Sequence, residues 1–235
     1  LPSKGLLYPE DSPLRKGEIE MKYMTAREED ILTNQNLIQN GTVIDKLLQA
    51  LIVSPVKVED LLIGDKNAIL VAARILGYGQ DYEFKYVNPE TGEEERVSVD
   101  LTEAEDKWID ESLLSDGTNE FEFELPHSKT LVTFKLLTTA DDKKIDQELK
   151  GLKKINKSAS PELTTRLKHM ITSVNGSYEP KDVREFVDGY MLARDSRAFR
   201  EHIKATQPDI SMLFTTDSGE EATIPMTAGF FWPDL

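Results

Sequence analysis

The sequence contains no cysteine, which excludes disulfides, thiol nucleophiles and thiolate metal ligands. Histidine is scarce. His127, His169 and His202 are the only three, and none has a partner at the helical spacing of a metal-binding pair. No apolar run approaches the roughly 20 residues that a membrane-spanning helix needs, and no secretory leader pattern is visible. Basic residues are outnumbered, with 28 Lys and Arg against 43 Asp and Glu and a net charge of −15. Nucleic acid is therefore an unfavourable partner, because phosphate neutralisation needs a basic face. An anionic membrane surface is disfavoured for the same reason. A phosphate loop is missing too: Gly77-Tyr78-Gly79 ends a helical pattern and precedes a strand pattern, the reverse of the required order.

What remains is an ordinary soluble composition, 39% hydrophobic and 30% charged over 235 residues, long enough to bury a substantial core. Ile19–Tyr23 alternates like a strand or extended piece. Thr25 and Glu28 have capping-box spacing, predicting a helix over Ala26–Thr33. Positions 43, 44, 47, 48, 51 and 52 form one apolar helical face. A short helix after Pro55 carries Val58, Leu61 and Leu62, and Asp65 is read as the N-cap of a helix over Lys66–Leu76. The texture then changes. Tyr82, Phe84 and Tyr86, then Val97 and Val99, alternate with polar residues across Asn88–Gly92, predicting a hairpin over Asp81–Asp100. Phe121–Leu125 and Leu131–Leu137 make a second hairpin. Helices are predicted over Thr139–Leu152, Pro161–Val174, Pro180–Tyr190 and Ser196–Thr206, and a third hairpin joins Met212–Phe214 to Ala222–Ile224. The expected class is α+β: a helical N-terminal unit, antiparallel hairpins, a helical C-terminal half and extended termini. Its boundaries are an arm over 1–24, a helical unit over 25–80, hairpins over 81–138, helices over 139–209 and a hairpin with an aromatic tail over 210–235, together forming one compact domain.

Candidate chemistry is sparse, and no catalytic residue or cofactor is assigned. Glu93-Glu94-Glu95 reads as a solubilising charge beside a turn, and Asp141-Asp142 as acidic residues suited to a helix start. Asp195-Ser196-Arg197 lacks the glycines of a nucleophile turn, and Ser196 reads as a helix cap. Two turns share one shape. Asn88–Gly92 and Thr215–Gly219 each place two polar residues three apart before a glycine, as a zinc knuckle places its cysteines. The four positions hold Asn88, Thr91, Thr215 and Ser218. Amides and hydroxyls are poor zinc ligands, so no metal is expected. Two ordinary polar turns, or two hairpins that hydrogen-bond where a metal would sit, are both open readings.

The ends are the unusual part. Residues 1–14 hold three prolines and a glycine together with Leu6, Leu7, Tyr8 and Leu14, a turn-rich segment with apolar side chains to bury. The last residues hold Phe230, Phe231 and Trp232 together, a large apolar surface in a short segment. Such arms pack on their own body or on a neighbour. Leu7, Tyr8, Tyr23 and Met24 at one end, with Phe230, Phe231 and Trp232 at the other, are the candidate partner contacts. Self-packing stands as an equal alternative for the tail.

Leu1–Pro9, Met21–Leu32, Gly64–Tyr78, Val132–Thr138, Asp195–Arg200 and Phe230–Pro233 resemble, in order, the baseplate hub and hub-assembly proteins of T4-like contractile-tailed bacteriophages. The resemblance covers almost the whole chain. Several relatives carry cysteine pairs at the two knuckle turns, and this sequence departs from them there, which bears on metal dependence rather than on the family. The resemblance implies a non-enzymatic tail protein that builds the central baseplate hub, with other hub or tail proteins as partners. It implies residence in the host cytoplasm during assembly and then in the virion baseplate. The alternative it leaves open is a transient assembly chaperone for a hub subunit, absent from the finished virion.

Overall fold

A computed structural model describes the chain apart from residues 90, 108, 115, 116, 156–160, 217, 218, 227 and 233–235, and apart from the side chains of 113 and 228. Among the described residues there are eight α-helices and nine short strands. The helices of the N-terminal half are α1 (Ala26–Leu32), α2 (Gln35–Asn40), α3 (Val43–Leu51) and α4 (Ile63–Tyr78). The strand β1 (Asp81–Val87) pairs antiparallel with β2 (Glu94–Asp100), with Phe84 opposite Val97. A short strand, β3 (Glu105–Asp106), precedes the hairpin of β4 (Phe121–Glu124) and β5 (Leu131–Phe134). The C-terminal half contains α5 (Thr139–Ile155), α6 (Glu162–Met170), β6 (Ile171–Val174), α7 (Pro180–Glu185) and α8 (Ala193–Thr206). It ends with β7 (Ile210–Ser211), which pairs with β3, and the hairpin of β8 (Leu213–Thr215) and β9 (Glu221–Thr223). The α+β class expected from the hairpin and helix patterns is the class observed.

Two helices read from the sequence stop short of the expected limits. The segment Pro161–Val174 is a helix only to Met170, and Ile171–Val174 turns into β6, which pairs with β5 to make a three-stranded sheet. Ile171 and Ser173 are buried while their neighbours are not, and the Ser173 hydroxyl donates to Thr133 Oγ1 at 2.7 Å. β-Branched Ile171, Thr172 and Val174 favour the pleated conformation. The helix over Pro180–Tyr190 becomes a π-turn at Phe186–Tyr190, and α8 starts at Ala193, three residues before the expected Ser196. Of the two readings of Ile19–Tyr23, a strand or an extended piece, the second fits. The segment forms no strand but makes one antiparallel bridge, Met21 to Ile52, flanked by backbone bonds of Lys22 to Leu51 and Val53 to Glu20.

The first turn of α4 is where the fold is tied. The helix begins at Ile63 with Leu62 as its cap, so Asp65 lies inside the first turn rather than capping it. Its fully buried carboxylate accepts from the Ser3 N–H at 2.9 Å, the Ser3 hydroxyl at 2.6 Å and the Tyr8 hydroxyl at 2.7 Å. Tyr8 in turn accepts the Leu62 N–H at 2.9 Å. No Lys or Arg among the described residues pairs with Asp65. The charge is met by three donors and by the helix N-terminus, where the macrodipole favours an anion. Burial, with the Asp65 carboxylate alongside, pushes the Tyr8 phenol far up, so it remains a donor at any physiological pH. Leu7, Tyr8 and Leu14 sit in the core beside it.

Two more segments meet the same turn. The Ile63 N–H donates to Leu137 O at 3.0 Å and the Thr139 N–H to Leu61 O at 2.8 Å, tying the start of α4 to the start of α5. Gly64 faces Pro208 so closely that an added Cβ would lie 1.8 Å from the Pro208 carbonyl oxygen. At the far end of α4, the buried Arg74 guanidinium donates to Gly79 O and Asp81 O and lies 5.2 and 5.8 Å from the Tyr78 and Tyr82 ring centres. That contact sets where the first hairpin leaves the helix.

The Gly64 contact makes a prediction whose sign discriminates between two effects. Helix propensity alone favours Ala over Gly by about 1 kcal/mol, whereas overpacking against fixed backbone costs about 1–3 kcal/mol or more. Gly64→Ala is expected to lower the urea midpoint of unfolding. A raised or unchanged midpoint would mean that Pro208 does not pack on α4.

Candidate docking groove

The C-terminal aromatics do not hang free. Phe230 and Phe231 are buried, at 1% and 4% exposure. The Phe230 ring meets Tyr82 edge-on at 5.0 Å and Phe231 at 5.2 Å. Burying each such ring contributes on the order of 1.5–3 kcal/mol. The Trp232 indole donates from Nε1 to Leu32 O at 2.8 Å, so it satisfies one of the carbonyls that a helix leaves unpaired at its C-terminal end. The tail thus clamps α1 to the first hairpin.

Beside this clamp lies an open groove of about 520 Å³. Leu32 and Phe231 line it from the core side; Ala26, Glu29 and Asp30 come from α1, Gln35 and Ile38 from α2, with Thr33, Tyr78 and Trp232 completing it. Among the described residues, the charged side chains that line it are Glu29 and Asp30. The Tyr78 hydroxyl donates to Glu29 Oε1 at 3.2 Å, while the Asp30 carboxylate has no hydrogen-bond or ion-pair partner among the described residues. The helix α2 buries none of its residues and leaves Ile38 39% exposed. It is held by its caps: Asn34 Oδ1 accepts from Asn36 and Leu37 N–H, and Gly41 closes the far end in the left-handed region at φ 69°.

Of the residues singled out at the ends, Leu7, Tyr8, Phe230 and Phe231 are in the protein's own core. For these four the self-packed alternative describes the isolated chain. Tyr23 is 73% exposed, Met24 packs half-buried against Gly77, and Trp232 is half-buried at the groove. The groove itself was not legible in the sequence, since Leu32 and Trp232 are 200 residues apart.

The knuckle-like turns are held by their own polar groups. Asn88 Oδ1 accepts the Thr91 N–H and Thr91 Oγ1 accepts the Glu93 N–H. Thr215 is exposed, and the next residue, Thr216, closes its turn on Glu220; Ser218 lies outside the described residues. The two hairpins are nevertheless neighbours, because Phe214 meets Phe84 at 5.2 Å and Tyr86 at 5.3 Å, edge-on to both. Among the described residues no group of three His, Asp or Glu is placed to hold a metal ion. Asp195 serves structure: it accepts the His127 and Ser128 N–H groups at 2.8 and 2.9 Å, fixing the β4–β5 turn. His202 stacks on Phe123 at 4.2 Å as a core ring, and His169 lies 3.0 Å from Glu148. Asp141 pairs with Lys135 and Asp142 with Arg166. No helix among the described residues is long and apolar enough to cross a membrane.

The helix that walls the groove starts at a capping box, with Glu28 accepting from the Thr25 N–H at 3.0 Å and the Thr25 hydroxyl at 2.6 Å. Lys22 donates to the same carboxylate at 2.8 Å. The Lys22 bond, then those from Thr25, hold Glu28 down from the ordinary 4.5 to about 2. A carboxyl depressed by folding adds stability above its unfolded value and loses it as pH falls through the folded one. The melting temperature of Glu28→Ala is therefore expected to lie below that of the parent at neutral pH. Between pH 4.5 and about 2 the gap should close. A gap that is independent of pH would refute the assigned contacts.

Residues 8–232 match the family described as T4 bacteriophage base plate protein. Neither curated proteins nor solved structures yield a match. The matched span runs from Tyr8, which holds Asp65, to Trp232, which caps α1, and so takes in both ends of the framework just described. The chain belongs to the T4 bacteriophage base plate protein family.

Proposed function

We propose that the protein is a non-enzymatic structural component of the central hub of a contractile-tailed phage baseplate, acting through contacts with sister hub proteins. The observation that carries this reading is the groove built on the tail. It is open, its floor of Leu32, Ile38, Phe231 and Trp232 is apolar and its other walls are polar, and elsewhere on the surface the body leaves Tyr23 73% exposed. Surfaces of this kind mark interaction sites, and aromatic anchors dominate the energetics of such contacts. The non-enzymatic part is supported by the engagement of the carboxylates that chemistry would need: Asp195, Asp141 and Asp142 each hold a turn or an ion pair. The protein would be made and assembled in the host cytoplasm and retained in the virion.

The experiment is co-purification of the tagged protein from phage-infected cells, with the captured proteins identified by mass spectrometry. Central hub proteins are expected, and the double variant Tyr23→Ala with Ile38→Asp should recover them at least tenfold less efficiently while melting like the parent. Unchanged recovery would sink the contact reading. Mass spectrometry of purified virions should also detect the chain; its absence there would make it the transient assembly factor instead.

A further inference from the structure

We infer that the groove between α1 and α2 receives the lysine-bearing end of α5 from a second copy of this protein. The inference rests on the reading of this face as a contact surface: it gives the groove itself to a second copy and leaves the exposed surface around Tyr23 to a sister hub protein.

The first observation is a mismatch at the end of α5. In a chain of net charge −15, the last two turns of this helix carry Lys150, Lys153 and Lys154 and end on Ile155, which is 86% exposed. Lysines near a helix C-terminus suit its dipole, and that would account for the charges alone. It does not account for an isoleucine almost wholly in water directly beside them. None of the three lysines forms an ion pair with a described residue.

The second observation is that the groove has the complementary character. Leu32, Ile38, Phe231 and Trp232 give it an apolar part, and Asp30 contributes a carboxylate that nothing else in the described chain engages. An aliphatic side chain flanked by ammonium groups fits such a lining: Ile155 enters the apolar part, and a lysine meets Asp30. The residues that follow Trp232 include Asp234, whose charge makes them a poor occupant beside Glu29 and Asp30.

The third observation favours a contact between copies. Among the described residues neither patch covers the other, with Ile155 86% and Ile38 39% exposed. A patch on one copy meeting a different patch on the next is a heterologous contact. It propagates from copy to copy and closes only as a ring, which suits a protein built into a larger assembly. Complementary charge steers such an encounter and weakens with salt.

The test uses the purified full chain in sedimentation velocity across a concentration series, at low salt and at about 0.5 M salt, where charge interactions are strongly screened. Concentration-dependent association is expected, weaker in high salt. Asp30→Lys and Lys154→Glu should each weaken it about tenfold or more, and the two together in one chain should restore it. Ile155→Asp should abolish it without lowering the melting temperature, since that side chain is in water in the monomer. A monomer at every concentration, single variants that associate like the parent, or a double variant that is not restored would each overturn the inference. None of those outcomes touches the co-purification with hub proteins, which stands or falls separately.

Discussion

The buried carboxylate of Asp65 is the constraint on which the rest of the structure depends. Taking an ionised carboxylate out of water costs several kcal/mol unless its lone pairs are met. Here they are met only if residues 3 and 8 fold back onto α4. The N-terminal segment, whose one regular element is a 3-10 turn over Pro13–Lys16, is thereby fixed without strand or α-helix. Gly5 and Gly17 make that possible. Both have positive φ, and a side chain on Gly5 would meet the Arg15 carbonyl oxygen at 2.3 Å. The same helical turn also carries the Pro208 contact and the tie to α5. Three distant parts of the chain therefore meet at three consecutive residues, Ile63, Gly64 and Asp65.

The two termini solve one problem in different ways. At the start, polar bonds to a buried acid hold apolar residues in place. At the end, aromatic rings hold themselves, through edge-on contacts from Tyr82 to Phe230 to Phe231, and a single indole bond finishes the job at Leu32. Both place their larger side chains inside. What they leave at the surface is Trp232, beside a groove that the short helix α2 does not fill. On the proposed reading, docking uses the surface that the ends build and not free arms. A partner that met this packed surface would lose less conformational entropy than one that had to order a loose tail.

Local pattern made much of the fold legible. Alternation in Tyr82–Tyr86 and Phe121–Phe123 gave the hairpins, and the capping spacing of Thr25 and Glu28 gave α1. It failed where two periods overlap. Leu163, Leu167, Met170 and Ile171 keep a helical stripe across the boundary at which backbone pairing with β5 takes over. Asp65 looked like a cap because acids favour helix starts, whereas its partners, Ser3 and Tyr8, lie about 60 residues earlier. The groove depended on a pairing across 200 residues. No local rule reaches that far, so the sequence marked the aromatic tail as important without showing what it touches.

Hydrogen exchange at two amides tests the central claim most directly. The Ser3 N–H is held by Asp65 and the Leu62 N–H by Tyr8. If the buried carboxylate ties the N-terminal segment into the body, both should exchange only through global unfolding, with the same opening free energy as the interior amides of α4. Rapid exchange at Ser3 while α4 stays protected would show that the segment detaches on its own, and would contradict the account.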